Sequence, residues 1–420
     1  MIKAVRGTRD LFGEALAYHR WILETTRRHA EAAGAVEIET PIFEEAPVFE
    51  RGVGATSDIV QKEMYAFEDR GGRRLVLRPE GTAGVMRAFL EHGMKVWPLP
   101  VKLFYAGPMF RAERPQKGRY RQFHQVGYEA VGLAEPAVDA EAIALMIDVL
   151  RALGLRELRL KLGSVGDPED RARYNAYLRE LLAPHQARLS PDSRARLSRN
   201  PLRILDSKDK DDQALLDELG VRPLFDFLNP EARAHFEAVT RYLDGLGVAY
   251  ELDPRIVRGL DYYARTAFEV HHAGLGAQSA LGGGGRYDGL TALLGGPALP
   301  GVGWALGVER VALALQAEGL TPPPPPALDL YLLPLDETAV GEALVIAERL
   351  RPRFRVEQAY LPRRPGKGIK EAEKRGARFV GFLGEGERLK GTITLKHLAS
   401  GEQTELDRDQ VASWLEASER

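Results

Sequence analysis

Residues 101–132 read VKLFYAGPMFRAERPQKGRYRQFHQVGYEAVG. The flanks, VKLFYAGPMF and FHQVGYEAVG, are apolar and rich in strand formers, and the middle holds Pro115 and Gly118, so the stretch reads as two strands joined by a loop. Strands joined this way run antiparallel. Extended segments around IETPIFE, MYAFED and RRLVLRP precede the hairpin, and FEVHH and SALGGGG follow it. An amphipathic helix is expected from about Leu16 to Ala33, ended by Gly34. Strands with helices set between them imply an α+β fold around a mostly antiparallel sheet. The middle of the hairpin raises the functional question. RAERPQKGRYRQFHQ, residues 111–125, holds four arginines and a lysine against one glutamate, in a chain whose formal net charge is only -2.

An isolated charge run is usually a solvated face. Here the setting points elsewhere, because an apolar strand delivers Arg111 and Glu113 at its end and the loop carries the other cations back into a second strand. Guanidinium forks bind phosphate oxygens bidentately, so the arrangement suits a polyphosphate and a nucleic-acid backbone. Phe123 offers a face for a base to stack on, although a strand phenylalanine is more often core.

Composition sets the limits. A chain of 420 residues with 44% hydrophobic and 28% charged content is long enough for two or three domains. The start, MIKAVRGTRDLFG, lacks the apolar core of a signal peptide, and no run approaches the roughly 18 apolar residues of a membrane span, so a cytoplasmic location without membrane contact is expected. The absence of cysteine removes disulfides, thiolate catalysis and Cys-based zinc or iron–sulfur sites. With 6 methionines and many arginines, the composition is mildly thermophile-like.

The run TPPPPP, residues 321–326, reads as a stiff polyproline spacer. Beyond it, LDLYLLPL, RFRVEQAY, ARFVGFLG and GTITLKHL alternate with helical patterns, which predicts a small α/β domain over residues 328–420. Between residues 167 and 245 the chain is charged and helical without strand signals, and reads as an insertion into the sheet domain. The expected order is therefore a first core segment 1–166, the insertion 167–245, a second core segment 246–321, the linker 322–327 and the tail domain. From Arg349 to Arg378 the tail carries eleven Lys or Arg against three Glu, the local charge an RNA backbone would meet.

Familiar chemistries fail one by one. No glycine-rich loop is followed by Lys-Ser or Lys-Thr, which excludes a P-loop. GVGWALG at 301 places its third glycine one position late for a dinucleotide fingerprint. The glycines at 282–285, taken alone, read as close strand packing. His271 and His272 are adjacent on a strand and project to opposite faces, so they do not chelate one ion together, and no protein-borne metal cluster is expected. No nucleophile elbow is present.

Five ordered stretches resemble a known family. TPIFEEAPVFERGVG with Pro41, FRAE at 110–113 and GVGWALGVERVALAL with Arg310 resemble the three motifs of class II aminoacyl-tRNA synthetases. RGLDYYARTAFEV at 258 and ALGGGGRYDGL at 280 look like the paired signatures of the histidyl-tRNA synthetases within that class. LRPEGT, ending at Thr82, RPQKGRYRQFHQ at 114, and RGARF and LGEGE in the tail carry the resemblance over most of the chain. It implies a class II catalytic sheet with a helical insertion, an anticodon-binding tail domain, and a homodimer formed through the first motif.

The implied chemistry is ATP-dependent activation of L-histidine and transfer to the 3′ end of histidine tRNA, with Mg2+ bridging the β- and γ-phosphates. Carboxylates are weak nucleophiles, so charge stabilisation carries most of such a reaction. By resemblance Arg111 and Arg258 are the catalytic cations near the α-phosphate, and Arg111, Glu113, Arg119, Phe123 and Arg310 bind ATP. Histidine is held by Glu80, Gly81, Thr82, Gln125, Glu129, Tyr262, Tyr263 and Tyr287 together with Arg111 and Arg258. Gln116 meets the tRNA acceptor end. The rival reading on the same fold is a synthetase-like regulatory subunit of ATP phosphoribosyltransferase, a histidine sensor without catalysis; such paralogues resemble the core, lack the tail domain and tend to lose the ATP-gripping arginines.

Overall fold

Val101–Phe110 and Gln122–Val131 pair antiparallel in unbroken register, from Val101 opposite Val131 to Phe110 opposite Gln122, in a computed structural model that describes residues 2–54, 57, 59–256 and 262–418. The alternation along the first strand sorts its side chains: Phe104 and Ala106 join one hydrophobic cluster, and Leu103, Tyr105 and Met109 join another on the opposite face. The second strand continues the sheet through Gly301–Gly307, Ala280–Arg286, Ala264–His272 and Leu158–Ser164, each antiparallel to its neighbour. Among the described residues of this sheet, only the two-residue edges Val36–Glu37 and Glu251–Leu252 pair parallel.

On one face lie the helices Gly13–Ala32, Pro136–Ala152 and Val308–Ala317, which bury residues such as Ile22, Met146 and Leu315 against the sheet. The other face carries the tyrosine-rich cluster of Tyr105, Tyr262, Tyr263 and Tyr287 beneath the helix Thr82–Glu91, and this face holds the site. The glycine run is a packing device. A Cβ on Gly282 would lie 2.1 Å from the Ala305 carbonyl oxygen and one on Gly284 would lie 1.9 Å from that of Gly303, so side chains there would force the strands apart.

One expectation needs correction. IETPIFE, MYAFED and RRLVLRP do not extend the main sheet; they form a separate three-stranded sheet, Phe43–Glu45, Arg74–Leu77 and Ala66–Glu68. At its base the buried Arg78 donates to the carbonyls of Thr40 (2.8 Å) and Pro108 (2.8 Å) while its own carbonyl accepts from the Phe110 N–H (2.9 Å), tying the small sheet to the large one.

In the helical segment from Pro168 onward, Tyr174, Leu178, Leu197, Leu216 and Leu224 form a core of their own. Its polar centre is Asp212, which accepts hydrogen bonds from Ser190, Ser193 and Ser207. The last helix, Pro230–Gly245, instead gives Phe236, Val239 and Leu243 to the main core.

The chain divides into compact units at residues 1–323 and 324–420. The second unit has a five-stranded sheet in which Leu328–Pro334 runs parallel to both Val356–Gln358 and Ala377–Leu383, while Thr392–His397 and Gln403–Asp407 add antiparallel. Part of its basic run is engaged locally: Arg349, Arg351, Arg353, Arg363, Arg375 and Arg378 each lie within ion-pair reach of a carboxylate. Arg364, Lys367, Lys370 and Lys374, on or beside the helix Pro365–Lys374, are exposed. No helix among the described residues is long and apolar enough to cross a membrane.

Candidate active site

A cleft of about 310 Å³ opens on the tyrosine-rich face, between the end of the hairpin, the start of the helix Thr82–Glu91, the glycine run and the start of the helix Val308–Ala317. Glu80, Thr82, Arg111, Glu113, Arg119, Phe123, Gln125, Tyr262, Tyr263 and Arg310, all expected at a site from sequence, line it. Its size suits a small ligand.

One end is cationic. Arg111 donates from Nε to the Pro79 carbonyl (2.9 Å), and its guanidinium lies 5.2 Å from the centre of the Phe123 ring. Glu113 sits between two arginines, 3.8 Å from Arg111 and 3.2 Å from Arg119. Arg310 is anchored by donating to the carbonyl of Ala280 (2.8 Å), and burial together with the neighbouring cations Arg119 and Arg111 lowers its pKa. Three guanidinium groups therefore gather at this end, Arg111 and Arg119 on Glu113 and Arg310 under the influence of both Glu113 and Glu269, a setting that favours an anion.

The other end is polar and deep. Glu80 accepts from the backbone N–H groups of Thr82 (2.8 Å) and Ala83 (2.9 Å), closing the start of a helix, and burial pushes its carboxyl above the ordinary range despite those bonds. Below it Glu129, with no exposed surface, accepts from the hydroxyls of Thr82 (2.7 Å) and Tyr287 (2.5 Å). Glu129 and Tyr287 thus lie under the cleft, outside its lining. Gly81 and Gly303 make room: a Cβ on Gly81 would lie 2.1 Å from the Tyr105 ring, and one on Gly303 would lie 1.8 Å from Glu129 Oε2. Gln125 Oε1 and Arg119 Nε are buried without a hydrogen-bond partner among the described residues, one at each end. Both atoms border the cleft, where a ligand's donors and acceptors could reach them.

Gln116 stands apart. It is exposed at the loop tip, bridged to Arg119 by a pair of backbone hydrogen bonds, and borders a neighbouring recess that shares Arg310 with the cleft. Arg258 lies outside the described residues.

Burial, opposed by the bonds from Tyr287 and Thr82 and aided by Glu80, pushes the Glu129 carboxyl up to about 8. A folded-state value raised above the ordinary 4.5 lends stability that is complete below 4.5 and lost as pH rises through 8. Glu129→Gln, which mimics the protonated acid, is therefore expected to match the parent's thermal stability below pH 4.5, to exceed it increasingly as pH rises to about 8, and to keep a constant lead above that. Parallel curves for the two proteins would show that Glu129 does not hold its proton at neutral pH.

Sequence reasoning missed the groups that brace this cleft. Among the described residues His19, His124 and Glu309 bring potential metal-binding atoms within 4.8 Å of one another. The donors are already engaged, since Glu309 accepts from both the backbone and the ring of His124, and the Arg9 guanidinium lies 3.5 Å from His19 Nε2. Their sequence separation gives no local pattern to read.

Residues 7–311 match the histidyl-tRNA synthetase family and residues 329–418 match an anticodon binding domain. A histidine–tRNA ligase of Thermus thermophilus is 66% identical over 413 residues, covering 98% of each chain. One of Deinococcus radiodurans is 55% identical over 96% of each. The solved apo histidyl-tRNA synthetase of S. aureus superposes with a TM-score of 0.83 at 37% identity, covering 99% of this chain and 100% of its own. An ATP phosphoribosyltransferase regulatory subunit/histidyl-tRNA synthetase from Bacillus halodurans, with a TM-score of 0.65 over 91% of this chain and 98% of its own, is only 22% identical and shares the fold alone. The matched stretch runs from the amino-terminal RGTRD segment through the cationic hairpin and the glycine run to Arg310, and the chain belongs to the histidyl-tRNA synthetase family.

Proposed function

We propose that this chain is an aminoacyl-tRNA ligase of class II that joins L-histidine to histidine tRNA with the consumption of ATP. The observation that carries the reading is that one cleft sets three arginines at one end and the buried carboxylate of Glu80 at the other, with Glu129 beneath it on Thr82. A histidine carboxylate oxygen attacks the α-phosphorus of ATP and pyrophosphate leaves. The 3′-hydroxyl of the terminal ribose then attacks the activated carbonyl, and AMP leaves.

Arg111 holds the α-phosphate and the amino-acid carboxylate, with Arg258 as the second cation there, while Arg119 and Arg310 grip the β,γ-end. Phe123 stacks on the base, and Glu113 is the acceptor on that side. Glu80, Thr82 and Gln125 take the ammonium beside Gly81, and Glu129 and Tyr263 bond the imidazole, with Tyr262 and Tyr287 around it. A pocket whose buried groups need ring N–H donors rejects isosteres, because those groups would be left unpaired. Mg2+ would accompany the ATP polyphosphate. The carboxylates of Glu113 and Glu269 both line the cleft and suit a hard cation. They would hold it there, and it supplies neutralisation of polyphosphate charge.

The tRNA acceptor end meets Gln116 at the loop tip, and the exposed cations along the helix Pro365–Lys374 offer the tail domain an RNA-facing surface. A role in translation is the ground for the cytoplasmic location. Homodimer formation is supported by a shallow groove that mixes apolar Ile38, Pro41, Val48 and Met94 with charged Glu39, Glu44 and Arg87, close in sequence to the exposed Ile42 and Phe43. The expected mass in solution is twice 46.5 kDa, and an active monomer would count against the pairing.

The test is ATP–pyrophosphate exchange without tRNA. Exchange that requires histidine supports the ligase; histidine binding without exchange points to the regulatory reading.

A further inference from the structure

We propose that Glu309 is a positioning residue of the nucleotide end of the cleft, a single carboxylate that clips the strand carrying Phe123 to the helix carrying Arg310. The inference rests on the reading of that cleft as an ATP site. The ladder between Gly301–Gly307 and the hairpin strand ends where Gly307 faces Gln125. One residue further along the hairpin strand, the His124 N–H has no strand partner on that side, and both oxygens of Glu309 accept it, at 3.1 and 3.0 Å. The His124 ring adds a third contact, Nδ1 to Oε1, at 2.9 Å. The clip therefore sits one residue from both Phe123 and Gln125 along the strand and one residue from Arg310 along the helix.

Glu309 is 5% exposed, and although burial pushes its carboxyl up, the bonds from the side chain and backbone of His124 hold it below the ordinary range. Behind it the His19 ring meets the His124 ring edge-on, with centroids 4.9 Å apart, and His19 Nε2 lies 3.8 Å from Glu309. Burial, opposed by Glu309, lowers the pKa of His19 to about 4, so its neutral ring accepts from Arg9 at 3.5 Å. Arg9 in turn lies 4.5 Å over the ring of Tyr120, which lines the cleft. The brace therefore runs from the amino-terminal segment to the wall of the nucleotide end, without any of its members lying at the histidine end.

That asymmetry makes the role testable by exchange kinetics on the intact chain. Glu309→Gln keeps the volume but sets an amide N–H₂ against donors it cannot accept from. It is expected to raise KM for ATP about tenfold, the scale of a lost charge-assisted clip, while KM for histidine stays within about twofold. A rise for ATP smaller than about fivefold, or one matched by histidine, overturns the role of Glu309. If Glu309→Gln does not fold, His124→Ala, which keeps the backbone N–H, is judged by the same split with about a threefold rise for ATP as the threshold. Absence of exchange in the parent chain would sink the ATP-site reading, and this inference with it.

Discussion

Arg111→Ala is expected to slow histidine-dependent exchange by about 10²- to 10³-fold while leaving thermal stability almost unchanged, as for loss of a preorganised oxyanion donor. Arg111 reaches the cleft from the end of a ten-residue strand whose pairing does not involve its side chain. Its guanidinium is held before any substrate arrives, by Pro79 and by its position over Phe123. A cation fixed in advance costs no reorganisation when negative charge builds on the α-phosphate, so the loss should fall mainly on kcat. Arg111→Lys should recover little, because an ammonium cannot reproduce the planar fork. Exchange within about tenfold of the parent would remove Arg111 from the chemistry.

The second large effect is on stability. Asp139→Ala is expected to cost about 3–5 kcal/mol, the usual penalty for stranding a buried charge. Arg286 and Asp139 are both fully buried and paired through two contacts, one of them Nε to Oδ1 at 3.2 Å. Arg286 also donates to Asp288 (3.1 Å) and the Leu133 carbonyl (3.2 Å), and His235 lies 3.4 Å from Asp139. The group joins the strand that leads into Tyr287, the helix Pro136–Ala152 and the helix Pro230–Gly245. Burial raises the Asp139 carboxyl, but the bonds from His235 and Arg286 outweigh it and leave the pKa below 3.8. Its stabilisation is therefore present above 3.8 and lost as pH falls through the lower folded value. Urea unfolding measures the cost. The double change Asp139→Leu with Arg286→Met should recover more than half of it, since apolar residues of similar volume replace a buried pair well. A single-variant cost under about 1 kcal/mol, or no recovery in the double variant, would contradict this.

What the sequence disclosed follows a physical division. The hairpin was legible because alternation and turn chemistry are local: Pro115 and Gly118 stand where the chain reverses, and Phe104 and Tyr105 go to opposite faces as period two requires. The cationic cluster was legible for the same reason, since Arg111, Glu113 and Arg119 lie within nine residues of one another. Individual roles were not written in composition or spacing; they came with the family resemblance. The Asp139–Arg286–His235 group and the Glu309 clip join residues far apart in the chain, and each residue alone looks like an ordinary helix or strand position. Gly303 shows the same limit. Its glycine reads as a failed dinucleotide turn until the strands are paired and Glu129 Oε2 is found where its Cβ would stand.

The most direct measurement is charging of histidine tRNA by the intact chain with ATP and labelled amino acid. The expected result is histidine esterified to histidine tRNA, one AMP and one pyrophosphate released for each, and no transfer of other amino acids. A chain that binds histidine and ATP in this cleft yet charges no tRNA would contradict the account.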